Sequence, residues 1–172
     1  FAAMFWVALS LLDVRRVPPD AARGARRAAF AFAALVFLMV VTGGFVAGIR
    51  AGFAYNTFPL MNGHVVPPEI MMLAPWWRNF FYNMATVQFD HRLVAWALAF
   101  AAPVLWWIVR RTPAAPSRAR FGAHLVLAML AVQITLGMLT LVHVVPLPLA
   151  AAHQAGALML FALALNLAHA LR

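Results

Sequence analysis

The chain has 172 residues, 66% of them hydrophobic and only 10% charged, with a mean hydropathy of +0.88; a soluble domain of this size cannot bury so much apolar surface. The net charge of +9 comes from thirteen basic residues, all Arg, gathered mostly in short stretches between apolar runs, a pattern that reports membrane topology and argues against nucleic acid as a partner. With no Cys, disulfides, thiolate metal sites and thiol redox chemistry are excluded.

Residues 1–12 are an apolar run too short to cross a bilayer at about 1.5 Å per residue. They are expected to be the end of a truncated transmembrane helix in a longer polypeptide. Residues 13–27 (DVRRVPPDAARGARR) form a polar loop, and residues 28–49 the first complete span. Residues 50–83 make a long outer loop rich in Pro, Asn and aromatic residues. The second span is 84–109, followed by an Arg- and Pro-rich loop at 110–120 (RRTPAAPSRAR) and a third span at 121–143. A short turn, VVPLPLA, leads into the fourth span, 150–170. The expected fold class is an all-α membrane protein: an antiparallel four-helix transmembrane bundle over residues 28–172, plus the truncated helix.

Loops 13–27 and 110–120 hold nine of the thirteen Arg residues. They and the C-terminus are therefore placed on the cytoplasmic side of a bacterial inner membrane, with loop 50–83 outside. Trp76, Trp77, Phe80, Phe81 and Tyr82 suit an outer aromatic belt, and Trp106 and Trp107 an inner one. Gly44, Gly48 and Gly52 recur every fourth residue. That spacing suits either close helix approach or clearance for a flat cofactor.

Depth sorts the six histidines. His91 precedes Arg110 by 19 residues, and His153 precedes Arg172 by 19. Each therefore lies roughly 28 Å along its helix from the Arg-marked edge. Two imidazoles at one level, on two helices running the same way, are what a bis-histidine haem iron requires. Ala95, Gly156 and Ala157 share a face with the histidines, leaving room for a porphyrin, and Gln133 and Gly137 could line another wall. A hydrogen-bonded bundle histidine is the plainer alternative for each ring alone. His124 and His169 match in depth near the Arg-rich edge, where an inner haem or simple interfacial placement both fit. His143 could meet a propionate or water, and His64 reads as a solvated loop residue. Arg92 could pair with a haem propionate, with Asp90 or with lipid phosphate. No cluster suits zinc, and no nucleophile–His–acid arrangement stands out.

The stretches VTGGFVAGIRAGFAYNTFPLMNGHVVPPE, NFFYNMATVQFDHRLVAW and VQITLGMLTLVHVVPLPLAAAHQAGALML resemble the C-terminal half of the haem A synthase family, with cysteine-free outer loops like one of its subtypes. The resemblance implies eight spans arranged as two pseudo-repeated four-helix bundles. It implies an N-terminal bundle holding the substrate haem O and an acidic residue in its first outer loop. The C-terminal bundle would hold haem b on ligands that match His91 and His153. The implied reaction oxidises a methyl group of haem O to a formyl group, giving haem A for cytochrome oxidase. Haem O synthase and oxidase assembly factors are the implied partners, the lipid bilayer is the medium, and homo-oligomerisation is left open. No catalytic residue carries over, because the N-terminal half has no counterpart in this sequence. An iron with two histidine ligands has no open position and suits electron transfer, so this half is expected to relay electrons to, or to support, a catalytic half. The rival functions are a stand-alone b-type cytochrome fed by quinol and a scaffold or transporter without haem.

Overall fold

In hydrocarbon every backbone N–H and C=O must be satisfied within its own segment, so apolar runs of Ala, Leu, Val and Phe fold as helix. The computed structural model describes residues 1–12, 17 and 21–172. Among these it forms α1 (Ala2–Leu12), α2 (Arg23–Gly48), α3 (Asn79–Tyr82), α4 (Met84–Arg111), α5 (Ser117–Val142) and α6 (Leu147–Ala170), with 3-10 turns at Ala51–Phe53 and Trp76–Arg78. The four long helices have 24 to 28 residues and are apolar enough to cross a membrane, which agrees with the expected all-α membrane fold.

Three helices start earlier than the apolar runs suggest. Arg23, Arg26 and Arg27 lie inside α2, and Arg118 and Arg120 inside α5. Arg is a good helix former, so the helices continue past the apolar core into their basic flanks. Leu147 and Pro148 already belong to the first turn of α6, where a missing N–H costs no internal bond. The Asn83 side chain caps α4 by accepting from Ala85 N (2.9 Å) and Thr86 N (3.3 Å). Of loop 13–27, residues 13–16 and 18–20 lie outside the described residues.

The long helices close into a ring. α2 packs against α4 and α6, and α5 packs against the same two. α4 and α6 are thus diagonal partners. Helices adjacent in the chain are antiparallel: Gly43 near the end of α2 meets His91 near the start of α4, and Gly122 at the start of α5 meets Leu167 at the end of α6. α1 lies outside the ring against α6, with Phe1 and Phe161 rings 6.1 Å apart and Trp6 edge-on to His169 at 5.0 Å.

The core occupies the Arg-rich end. It joins Ala29, Phe32 and Val36 of α2, Leu98, Ala102, Leu105 and Val109 of α4, Ala123 and Val126 of α5, and Leu160, Ala164 and Leu167 of α6. Toward the other end burial stops: no residue of 37–50, 89–97 or 134–155 is buried. Above that end, residues 50–83 fold into a cap. The amide of Gln88 donates to the carbonyls of Ala51 (3.0 Å) and Tyr55 (3.2 Å), and Asn56 to those of Gly52 (3.0 Å) and Leu141 (2.9 Å). Fully buried Asn79 binds both the N–H and the carbonyl of Leu73 at 2.9 Å. Tyr55, Met61 and Ala85 make a small apolar core beneath these bonds.

Candidate functional site

The capped end of the ring gathers most of the residues singled out from sequence. His91 sits in the second turn of α4 and leans on α2. Its Nδ1 is 3.0 Å from the Thr42 hydroxyl, which itself donates to the Met39 carbonyl at 3.0 Å. Thr42 has one proton and spends it on Met39, so it accepts from His91. Nδ1 therefore carries the imidazole hydrogen, and the Nε2 lone pair is left for another partner. A Cβ at Gly43 would stand 3.2 Å from His91 Cε1; only glycine lets the ring lie this close to α2.

His153 repeats the arrangement on the opposite side. It leans on α5 at Gly137, where a Cβ would come within 3.0 Å of its Cε1 and 3.5 Å of its Nε2. Its backbone carbonyl accepts from Gln133 Nε2 at 2.9 Å, while its Nδ1 is buried without a hydrogen-bond partner. Gly156 leaves the gap that Gln133 fills, since a Cβ there would collide with Gln133 Oε1. His91 and His153, on diagonal helices, lie within electrostatic reach of each other. His91, His153, Gln133, Gly137 and Gly156 thus lie at one end of the bundle, with one imidazole on each of the two diagonal helices.

Arg92 is at the mouth of this space but turned to the cap. Its guanidinium donates to the carbonyls of Pro59 (3.3 Å), Tyr55 (3.2 Å) and Thr57 (3.0 Å). Among the described residues its hydrogen bonds go to this loop and to Gln88, not to Asp90. The NTFPLM stretch is thereby fastened over the first turns of α4. Elsewhere in the cap the Tyr55 hydroxyl donates to the Glu69 carboxylate. Burial, then the Glu69 bond and charge, push the Tyr55 phenol up to about 12. The same hydrogen bond, foremost, holds the Glu69 carboxyl below its ordinary value.

The remaining sequence readings fare unevenly. Nothing lies within 4 Å of a Cβ built at Gly44 or Gly48, and Gly52 meets only Val46 and Val145. The close approach on α2 is made by Gly43, one residue off the repeat, and the spacing of the other three does not mark a helix contact. His124 and His169 share a depth but not a direction. His124 engages Trp106 and Arg110 of α4, whereas His169 faces Trp6 and Ser10 of α1, so the two do not face a common site. His143 and His64 are exposed, and His143 Nδ1 is bound to the Leu139 carbonyl at 2.9 Å. Among the described residues no cluster of three or more His, Asp or Glu could hold a metal ion. Sequence reasoning missed Thr42 and Gly43. Both lie in the TGG stretch that opens the motif VTGGFVAG.

A protein-family model described as cytochrome oxidase assembly protein (COX15-CtaA) matches residues 1–165. The Heme A synthase of Nitrosospira multiformis is 60% identical over 174 residues, an alignment that covers 100% of this chain and 49% of that protein. The Heme A synthase of Nitrosomonas eutropha is 49% identical over 168 residues, covering 96% of this chain and 47% of that protein. The human protein called Heme A synthase COX15 is 41% identical over 174 residues, covering 100% and 42%. The chain spans about half the length of the curated relatives it matches. No solved structure matches.

Proposed function

The chain belongs to the haem A synthase family of cytochrome oxidase assembly proteins, and from that premise we propose that it is the haem b-binding half of such an enzyme, with His91 and His153 as the axial ligands. The observation that carries this reading is the pair of imidazoles on diagonal helices, each seated against a glycine that a Cβ would fill. The residues fit the group. His91 has its Nδ1 hydrogen bonded to Thr42, which directs Nε2 to a metal, as second-shell partners of ligating histidines do. His153 has a buried Nδ1 with no hydrogen-bond partner among the described residues. Around the two rings, residues 37–50, 89–97 and 134–155 include no buried side chain.

Held by His91 and His153, haem b would supply a one-electron couple. Everything else falls to the chain's own residues. Gly43 and Gly137 let the rings approach their neighbouring helices, and Gln133 ties α5 to α6 beside His153. Arg92 and the cap close the outer mouth and keep bulk water from it; the buried Arg92 Nε has no hydrogen-bond partner among the described residues and could meet a propionate at the rim. In the whole enzyme, oxidation of the haem O methyl to a formyl group would take place on another bundle, with this half passing electrons to it or bracing it. Haem O, haem O synthase and oxidase assembly factors are the partners this role implies. The positive-inside bias supports an orientation with the Arg-rich end on the cytoplasmic side of a bacterial inner membrane.

The test is optical. Reduced-minus-oxidised spectra of the purified protein should show a low-spin b-type haem, and His91→Ala and His153→Ala should each abolish it. Either variant with an unchanged spectrum removes that residue as a ligand, and a wild-type protein expressed with haem supply yet lacking the signal removes the cofactor.

A further inference from the structure

At the other end of the ring the last turns of α4 make a second concave feature. Trp106, Trp107, Arg110 and Arg111 line a notch of about 370 Å³. Each guanidinium lies over an indole four residues earlier, Arg110 at 5.1 Å from Trp106 and Arg111 at 5.9 Å from Trp107. Such stacking holds the charges in place without neutralising them. Beside them, Trp106 Nε1 donates to His124 Nδ1 at 3.0 Å. An indole N–H can only donate, so Nδ1 is the acceptor and the ring hydrogen sits on Nε2. That Nε2 is 3.5 Å from Arg110 Nη1, which is also a donor. Two N–H groups therefore converge with no acceptor between them. Among the described residues the carboxylates, Glu69 and Asp90, belong to the cap and the first turns of α4, far along the helix from Arg110.

We propose that this notch binds the phosphate of an anionic membrane lipid. A phosphate oxygen placed between His124 Nε2 and Arg110 Nη1 accepts from both, and Arg111 supplies the second positive charge. The depth is right for a headgroup: the notch lies where the apolar span of α4 gives way to its basic end. The flank is right for an acyl chain, because Phe100, Val104 and Trp107 are 72%, 55% and 55% exposed and succeed one another along one face of α4 toward Arg111. A zwitterionic lipid offers the same phosphate but brings a cationic amine to a site that already holds two guanidinium groups.

Native mass spectrometry of the delipidated protein tests this with three probes: phosphatidylglycerol, phosphatidylcholine and inorganic phosphate. Phosphatidylglycerol should be retained about tenfold more than phosphatidylcholine, given the attraction each Arg adds at an anionic surface. The double variant R110Q/R111Q should lose that preference, R111Q alone should lose part of it, and R50Q at the opposite end should keep it. Trp106→Phe, which removes the donor that orients His124, should lower retention with both Arg residues present. Equal retention of the two lipids, or a double variant that holds phosphatidylglycerol as the wild type does, overturns the site. Displacement of the lipid by excess inorganic phosphate overturns the lipid as its occupant. Circular dichroism on each variant shows that the helices are intact, which is expected because all three changed Arg positions are exposed.

Discussion

The two ends of the ring put the same four helices to different uses. At the Arg-rich end, Phe32 and Val36 meet Leu98, Leu105 and Val109 with small Ala residues between them, and the interior is filled. At the capped end the ring carries Gly43, Thr42, His91, Gly137 and His153, and no residue of 37–50, 89–97 or 134–155 is buried. One end is built for packing, the other for spacing. The spaced end is held by hydrogen bonds from Gln88, Asn79 and Arg92 to carbonyls of the cap and from Asn56 to the Leu141 carbonyl of α5, so the cap contributes the order that packing contributes elsewhere.

Filling the spaced end should have the largest effect on cofactor binding. Gly137→Leu would push the His153 ring off α5 and is expected to weaken haem binding by about 10–100-fold, the range for disturbing a ligand's support, as read by haem titration. Gly44→Leu, on an open face, should leave it unchanged; equal damage from both would end the distinction between the two glycines. Emptying the packed end is the converse. Leu98→Ala should cost about 2–5 kcal/mol of stability in detergent-titration unfolding, with the haem spectrum preserved. A smaller change sharpens the comparison inside the spaced end. Thr42→Val leaves the His91 Nδ1–H without its acceptor, at a cost of about 1–3 kcal/mol. It should raise the haem midpoint potential, because the lost bond made the imidazole a stronger donor; Thr42→Ser should restore the wild-type value.

The smallest effect belongs to the cap. The Glu69 carboxyl is depressed in the folded state, so its contribution is present above its ordinary value of 4.5 and is lost as pH falls through the lowered one. Tyr55 is raised, so its contribution is complete below its ordinary value of 10.0 and is lost as pH rises toward about 12. Hydrogen-exchange protection of residues 55–69, taken relative to the intrinsic rate at each pH, should be greatest between those limits and smaller on either side. Glu69→Gln should flatten the acid limb.

The helices were legible because membrane spans announce themselves in hydropathy, and their ends moved only where Arg and Pro extend a helix beyond its apolar run. Depth along each helix was legible too, since residues count at a fixed rise. Rotation about the helix axis was not. His124 and His169 match in depth yet face different neighbours, and Gly44 and Gly48 keep an interface-like spacing on a face that meets nothing. Gly43 and Thr42 matter because of how α2 is turned against α4, a tertiary fact with no local signal. Arg92 engages carbonyls more than thirty positions earlier in the chain, and the loop path that brings them there is equally non-local.

The diagonal placement of α4 and α6 has a mechanical consequence. Both helices pack mainly against α2 and α5, so all four sides of the ring together set the gap that separates the two imidazoles, as the frame of a caliper sets its jaws. A substitution that thickens any one side, however far from either histidine, should register at the jaws.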